Sequence, residues 1–188
     1  MIEIRKARDG EECQVLYFYY RLVDTMKGTP YCPKWEKGIY PVLSDIAGAI
    51  GANTLYIATE NHEIIGAFIL NHFQGEGYQF VNWQTKDSDD GIAVLHLLAT
   101  APACQGKGVG KKLLGKAVEV CKNQKDIAIR LDTLPWNVPG KRLYENFGFQ
   151  YKGDVELDYP STGKIAFSMY NMYYERNLQR AGKTNDKR

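Results

Sequence analysis

Gln105-Gly106-Lys107-Gly108-Val109-Gly110 stands where an apolar, strand-like run ends and an amphipathic helix begins. The run before it, Ile92-Ala93-Val94-Leu95-His96-Leu97-Leu98-Ala99-Thr100, is apolar enough for a buried strand, and Pro102 ends it. The run after it repeats apolar residues at Val109, Leu113, Leu114, Ala117, Val118 and Cys121, which form one face of a helix. Gly106, Gly108 and Gly110 remove side chains that would keep a ligand from the first, unpaired N–H groups of that helix. Those donors and the helix dipole favour phosphate. Lys107, Lys111 and Lys112 add positive charge beside them.

Two familiar phosphate loops do not fit this spelling. The P-loop needs a hydroxyl after its Gly-Lys pair to hold magnesium, and here Gly110-Lys111 is followed by Lys112. In the dinucleotide fingerprint the third glycine falls one residue later, where this chain has Lys111. A second stretch lies beyond the helix: the alternating strand Ile127 to Thr133, then Trp136-Asn137-Val138-Pro139-Gly140-Lys141-Arg142-Leu143-Tyr144-Glu145-Asn146-Phe147-Gly148-Phe149. Pro139 fits a first helical turn, Asn137 is placed to cap it and Gly148 to stop it. Together the two stretches resemble the GCN5-related N-acetyltransferase (GNAT) superfamily. Gln105, Gly108 and Gly110 match its Gln/Arg-x-x-Gly-x-Gly/Ala motif, and the second stretch is similar to its Asn-x-x-Ala-x-x-Leu-Tyr-x-x-x-Gly-Phe segment. It departs at Gly140, where alanine is usual, and in Pro139. The resemblance is close over residues 92 to 151.

This resemblance implies an α/β (α+β) GNAT fold: a mixed, mostly antiparallel twisted sheet of about six or seven strands with about four helices on its two sides. A parallel strand pair would splay apart at the coenzyme site. It further implies acetyl-CoA as the acyl donor and direct transfer to a primary amine of a small molecule or peptide. Another acyl-CoA, or a silent coenzyme-binding sensor or interaction module, would carry the same motifs. By motif position, the backbone of Leu98, Ala99 and Thr100 would pair with the pantetheine arm. Gln105, Gly106, Lys107, Gly108, Val109, Gly110 and Lys111 would hold the pyrophosphate, with Asn137, Gly140, Lys141 and Tyr144 on the opposite side. Spacing alone also allows Tyr144 to be a core aromatic; the resemblance makes it the general acid, with a hydroxyl whose reference pKa is about 10.

For the base, His96 is the candidate, with an ordinary pKa of about 6.5. Strand alternation predicts it on one sheet face with Leu98. A histidine in an apolar strand can equally be a core residue, and Val94 stands near where some family members carry glutamate. Asp132 and Glu76 are the other candidates. The acceptor is expected against the first helices and the sheet edge, where Tyr17 to Tyr20, Tyr31, Trp35, Tyr40, Trp83 and Trp136 concentrate. Aromatic faces suit a cationic amine, although many such rings serve as core. Trp35 to Pro41 resembles a segment of a bacterial subgroup of unassigned acceptor.

With 188 residues, 44% hydrophobic and 24% charged, the composition suits one domain over residues 1–175 with a polar, basic tail over 176–188. A net charge of +2 is too small to argue for nucleic acid. No apolar run is long enough for a bilayer, and Met1 to Lys6 reads as a first strand rather than a signal peptide. The expectation is a cytoplasmic protein, with a homodimer allowed by the aromatic surplus. Cys13, Cys32, Cys104 and Cys121 lack paired short spacing, so no metal site and no disulfide framework is expected. Elsewhere the pattern predicts a strand at Ile2 to Ala7 and helices at Glu11 to Met26 and Pro41 to Gly51. A hairpin is predicted across Thr54 to Thr59 and Glu63 to His72. A strand over Tyr78 to Gln84, an acidic loop over Lys86 to Gly91 and closing strands over Tyr151 to Leu157 and Lys164 to Tyr173 complete the expected order.

Overall fold

The structure, a computed structural model, describes residues 1–83, 91–159 and 162–174. The strands are β1 (Glu3–Lys6), β2 (Leu55–Glu60), β3 (Glu63–Asn71), β4 (Ile92–Thr100), β5 (Ala128–Thr133), β6 (Gln150–Tyr159) and β7 (Gly163–Tyr173). The helices are α1 (Glu12–Met26), α2 (Leu43–Gly51), α3 (Val109–Gln124) and α4 (Val138–Phe147). The seven strands form one sheet in the order β1-β2-β3-β4-β5-β7-β6. Every neighbouring pair is antiparallel except β4 and β5, which are parallel. This is the expected mixed α/β architecture. The tail 176–188, Gln84 and the acidic loop up to Asp90 lie outside the described residues.

Local chemistry sets the element ends. Asn61 and His62 both adopt positive φ between β2 and β3, the two-residue turn whose twist matches a hairpin. In α4, the Asn137 side chain accepts from the Gly140 N–H at 3.1 Å, Pro139 sits in the first turn, and Gly148 (φ 111°) ends the helix in the left-handed region. Helix α3 begins at Gly108 (φ 79°) and ends at Lys125 (φ 65°), where the Asp126 N–H returns to the Cys121 carbonyl.

The sheet is covered on both faces. On one, Leu113, Leu114 and Ala117 of α3 and Tyr144 of α4 pack against Phe68, Ala93, Leu95, Ile129 and Leu131. On the other, Val15, Phe18, Tyr19 and Leu22 of α1 and Ile46 and Ile50 of α2 pack against Ile57, Ala67, Ile69 and Leu97. Helix α3 approaches β3 so closely that a Cβ at Gly66 would stand 2.7 Å from Leu113 Cδ1, which explains glycine inside a buried strand.

Two expectations need correction. Over its described part, Tyr78 to Trp83, the expected strand does not form: Tyr78–Phe80 is a single 3-10 turn. Both sides of β4 are taken, by β3 and β5, and Tyr78 is instead buried by its contacts, its hydroxyl donating to Asp132 Oδ2 at 2.7 Å. The alternation expected for His96 and Leu98 also fails. Ile69 pairs with His96 and Ala67 with Ala99, so β4 carries one extra residue, and Leu97 there has φ 51°. This β-bulge puts His96 opposite Ile69 on the α1–α2 face, while Leu98 packs against the α3 cluster.

Candidate active site

The parallel ladder between β4 and β5 begins at Ile92↔Ala128 and stops at Leu95↔Leu131, although β4 runs on to Thr100 and β5 to Thr133. Beyond Leu95 the two strands have parted. The Ala101 N–H donates to the Ile65 carbonyl at 2.8 Å, so Ala101 and Ala99 direct their backbone groups to β3. Successive residues alternate sides, which leaves the N–H and C=O groups of Leu98 and Thr100 facing the gap. The bulged Leu97 carbonyl is turned out of the ladder and accepts from the Tyr19 hydroxyl at 2.8 Å. A buried helix residue therefore holds the strand distortion in place.

A cavity of about 450 Å³ follows this gap. Leu98, Ala99 and Thr100 line it along β4, and Gln105, Gly106, Gly108, Val109, Gly110 and Lys111 line it at the start of α3. Asn137, Gly140 and Tyr144 close the opposite side. Of the expected coenzyme residues, Lys107 and Lys141 do not line it. Lys141 instead lies 5.7 Å from the centre of the Tyr151 ring. The glycines serve different ends. Gly106 and Gly108 have φ of 76° and 79° and shape the turn that exposes the first N–H groups of α3. At Gly110 a Cβ would stand 2.9 Å from Leu143 Cδ2, so this glycine lets α4 approach α3. At Gly140 a Cβ would meet the capping Asn137 side chain at 2.3 Å, so an alanine here would require that side chain to shift. The Asn137 amide is already engaged, donating to Thr133 Oγ1 at 2.9 Å and accepting from Gly140.

Three groups of chemical interest converge along the cavity. Tyr144 is 6% exposed, packs against Phe149 and Tyr170, and its hydroxyl has no hydrogen-bond partner among the described residues. Burial, with the charge of Asp132 second, pushes its pKa up, so the phenol stays protonated. His96 Nε2 lies 3.0 Å from Asn71 Oδ1 and 3.2 Å from the Phe73 carbonyl. A carbonyl only accepts, and Asn71 Oδ1 is itself fixed as oxygen by the Phe73 N–H at 2.9 Å. Nε2 thus carries the proton and Nδ1 is left as the acceptor. Burial lowers the His96 pKa, against the opposing pull of Asp132 and the Phe73 carbonyl, which keeps the ring neutral near pH 7. Asp132 acts electrostatically on His96, Tyr144 and Tyr40. The sequence offered Asp132 only as an alternative base and gave no sign of Asn71 or the Phe73 carbonyl, whose place depends on the β3–β4 register.

The aromatic expectation divides. Tyr31, Trp35 and Tyr40 line the cavity near Leu22 and Met26. Phe18 and Tyr19 are core, Tyr17 is exposed, and Tyr20 accepts from the Gly38 N–H. Trp83 stacks 4.3 Å from the Arg130 guanidinium, and the Trp136 N–H donates to the Cys32 carbonyl.

Residues 19–149 match the sequence model of the Acetyltransferase (GNAT) family. The aminoglycoside N(6')-acetyltransferase type 1 of Klebsiella pneumoniae is 33% identical over 103 residues, 54% of this chain and 50% of that protein. The mycothiol acetyltransferase of Brachybacterium faecium is 30% identical over 82 residues, 43% of this chain and 25% of that protein. The chain thus spans half the length or less of these curated relatives. Among solved structures, a GNAT-family acetyltransferase from Streptococcus agalactiae is similar with a TM-score of 0.76 at 20% identity, covering 93% of this chain and 96% of that one. An acetyltransferase structure from Salmonella typhimurium, solved with its cofactor acetyl-CoA, has a TM-score of 0.68 at 16% identity, covering 92% and 94%. At such identities the structures speak for the fold, and the family match speaks for descent. The split β4–β5 pair, the glycine turn opening α3 and the match over residues 19–149 agree: the chain belongs to the GNAT acetyltransferase family.

Proposed function

We propose that the protein is an acetyl-CoA-dependent N-acetyltransferase that moves an acetyl group directly onto a primary amine of a small molecule or peptide. The observation that carries this reading is the ladder that ends at Leu95↔Leu131, leaving the Leu98 and Thr100 backbone open to a cavity that joins the glycine turn to Tyr144 and His96. These groups fit a pantetheine arm, a strand-like chain of amides needing partners on one side. When bound, the coenzyme supplies a thioester as acyl donor. The N–H groups at the start of α3 bind the pyrophosphate, aided by Lys111 and the helix dipole. Gly106 and Gly108 admit it, and Asn137 and Gly140 form the facing wall.

The residues then divide the proton transfers. The Leu98 N–H donates to the thioester oxygen as negative charge grows on it. His96 Nδ1 takes a proton from the attacking amine, while its Nε2–H is held by Phe73 and Asn71. The new N–C bond forms as the C–S bond breaks, and the Tyr144 hydroxyl donates to the departing sulfur. The amine, whose reference pKa is about 10.4 in a lysine-like group, must reach His96 as the neutral form. Free thiol measured from acetyl-CoA with a panel of amines tests the reading: release that requires both protein and amine is expected. Coenzyme binding with no release for any amine would favour a silent binding module instead.

A further inference from the structure

A second cavity, of about 1110 Å³, opens between α2 and the segment 73–80. It shares four lining residues with the first: Tyr40, His96, Leu97 and Asp132. The two spaces therefore meet at the expected base and at the strand bulge. Beside Asp45, the wall at α2 is made of Gly48, Ala49 and, just past the helix end, Ala52, side chains too small to fill the cavity. Its charge is one-sided. Asp45, Glu76 and Asp132 line it, and the one Lys or Arg among the described lining residues is Lys164, at the β6–β7 end. Neither Asp45 nor Glu76 has an ion-pair partner among the described residues. Asp45, Asp132 and Tyr40 all line this cavity, and both carboxylates act on the Tyr40 hydroxyl. At the rim, Phe73 and Phe80 are 70% and 74% exposed, and Tyr78 completes an aromatic wall. On β6, Asp154 accepts from Ser168, whereas Leu157 packs with Tyr78. By strand alternation Asp154, Glu156 and Asp158 thus face away from the cleft and add negative field rather than contacts. The whole chain is slightly basic at +2, so this negative cleft is a local arrangement. The junction also presents groups in want of a ligand: the buried Tyr144 hydroxyl on the first cavity, and His96 Nδ1.

We propose that this second cavity is the acceptor cleft and that the acceptor is a polycation: a small molecule with at least two amino groups, one presented to His96 and another held by Asp45 and Glu76. This rests on the acetyl-transfer reading of the adjoining cavity. The field of Asp132 steers the incoming ammonium group to the junction, where it gives up one proton to solvent before it meets His96 as the neutral amine. Phe73 and Phe80 cover the carbon skeleton between the amino groups, with their exposed rings open to a cation, and the buried Tyr78 backs them. A neutral or anionic acceptor would leave Asp45 and Glu76 without a counter-charge, and a monoamine would use only the Asp132 end.

The test compares n-butylamine, 1,4-diaminobutane and the linear triamine spermidine as acceptors in the full chain. The ratio of kcat/KM for spermidine to that for n-butylamine should be about tenfold or more at low salt and should shrink as salt screens the carboxylates. In Asp45→Asn/Glu76→Gln that ratio should fall towards one; the asparagine oxygen still accepts from the Val42 N–H that Asp45 now caps, so α2 is kept. Equal kcat/KM for the three amines, or a ratio unchanged in the double variant, overturns the proposal. Calorimetric titration with spermidine separates it from the acetyl-transfer reading. Binding that weakens in the double variant, without thiol release from acetyl-CoA, keeps the cleft and removes the transferase. No binding and no turnover removes the cleft.

Discussion

In the proposed reaction Tyr144 and His96 make opposite proton transfers, and one cause suits both to them. Burial disfavours charge on either, so the phenol keeps its proton and the imidazole lacks its second one. Replacement Tyr144→Phe should lower turnover by about 10² to 10⁴ while acetyl-CoA affinity, measured by calorimetry, stays within about twofold, since the hydroxyl meets the sulfur only as charge develops. For His96 the sign follows from its lowered pKa. The active, neutral form persists as pH falls through the ordinary histidine value of about 6.5, and rate is lost only below that. With a weakly basic amine, whose own ionisation stays out of the window, kcat/KM should therefore be flat down to about pH 6.5 and then fall. That acid limb should vanish in His96→Asn; a limb at or above 6.5, or one that survives the substitution, would remove His96 as base. Both residues were visible in the sequence as chemical types at suggestive places. The tautomer of His96 was not, because the Phe73 carbonyl that sets it lies across the β3–β4 pair.

Between residue and molecule, the decisive element is the bulge in β4. Alternation along Ile92 to Thr100 predicts His96 and Leu98 together; one extra residue at Leu97 sends them to opposite faces. Nothing in Leu97 itself signals a left-handed conformation, since a leucine adopts it at a penalty of about 1–2 kcal/mol, offset here by tertiary contacts. The Tyr19 hydroxyl on the displaced carbonyl is one such contact. Tyr19→Phe should destabilise the fold by about 1–3 kcal/mol in denaturant melts, as a buried carbonyl loses its partner. The same variant should also lower kcat/KM, because the bulge aims the Leu98 N–H. A melt shifted without loss of kcat/KM would assign Tyr19 to stability alone. The elements with strong local signals were legible: α3 begins at its glycine turn, and α4 begins at Asn137 and ends at Gly148. Tyr78 to Phe80 was not, since its aromatic spacing fits a strand, whereas the contact of the Tyr78 hydroxyl with Asp132 is a tertiary one.

Over the whole molecule, two local motifs are carried to a common gap by one sheet, in which β4 lies between β3 and β5 and the parallel contact fails halfway. The motif spacing made most of the lining of the first cavity, the proposed coenzyme half, legible, because turn, helix start and facing helix are contiguous in sequence. The proposed acceptor half was not, since α2, the segment 73–80 and β4 meet only through the tertiary fold. Bound acetyl-CoA should couple these parts and raise unfolding free energy by about 2.7 kcal/mol at a hundred times its Kd, read as a rise in Tm. The most direct measurement is amide hydrogen exchange with and without acetyl-CoA. The account predicts saturable protection concentrated at Leu98, Thr100 and the first amides of α3, from Val109 to Lys112, with β1 and β2 unchanged. Absence of saturable binding, or protection confined to other segments, would contradict it.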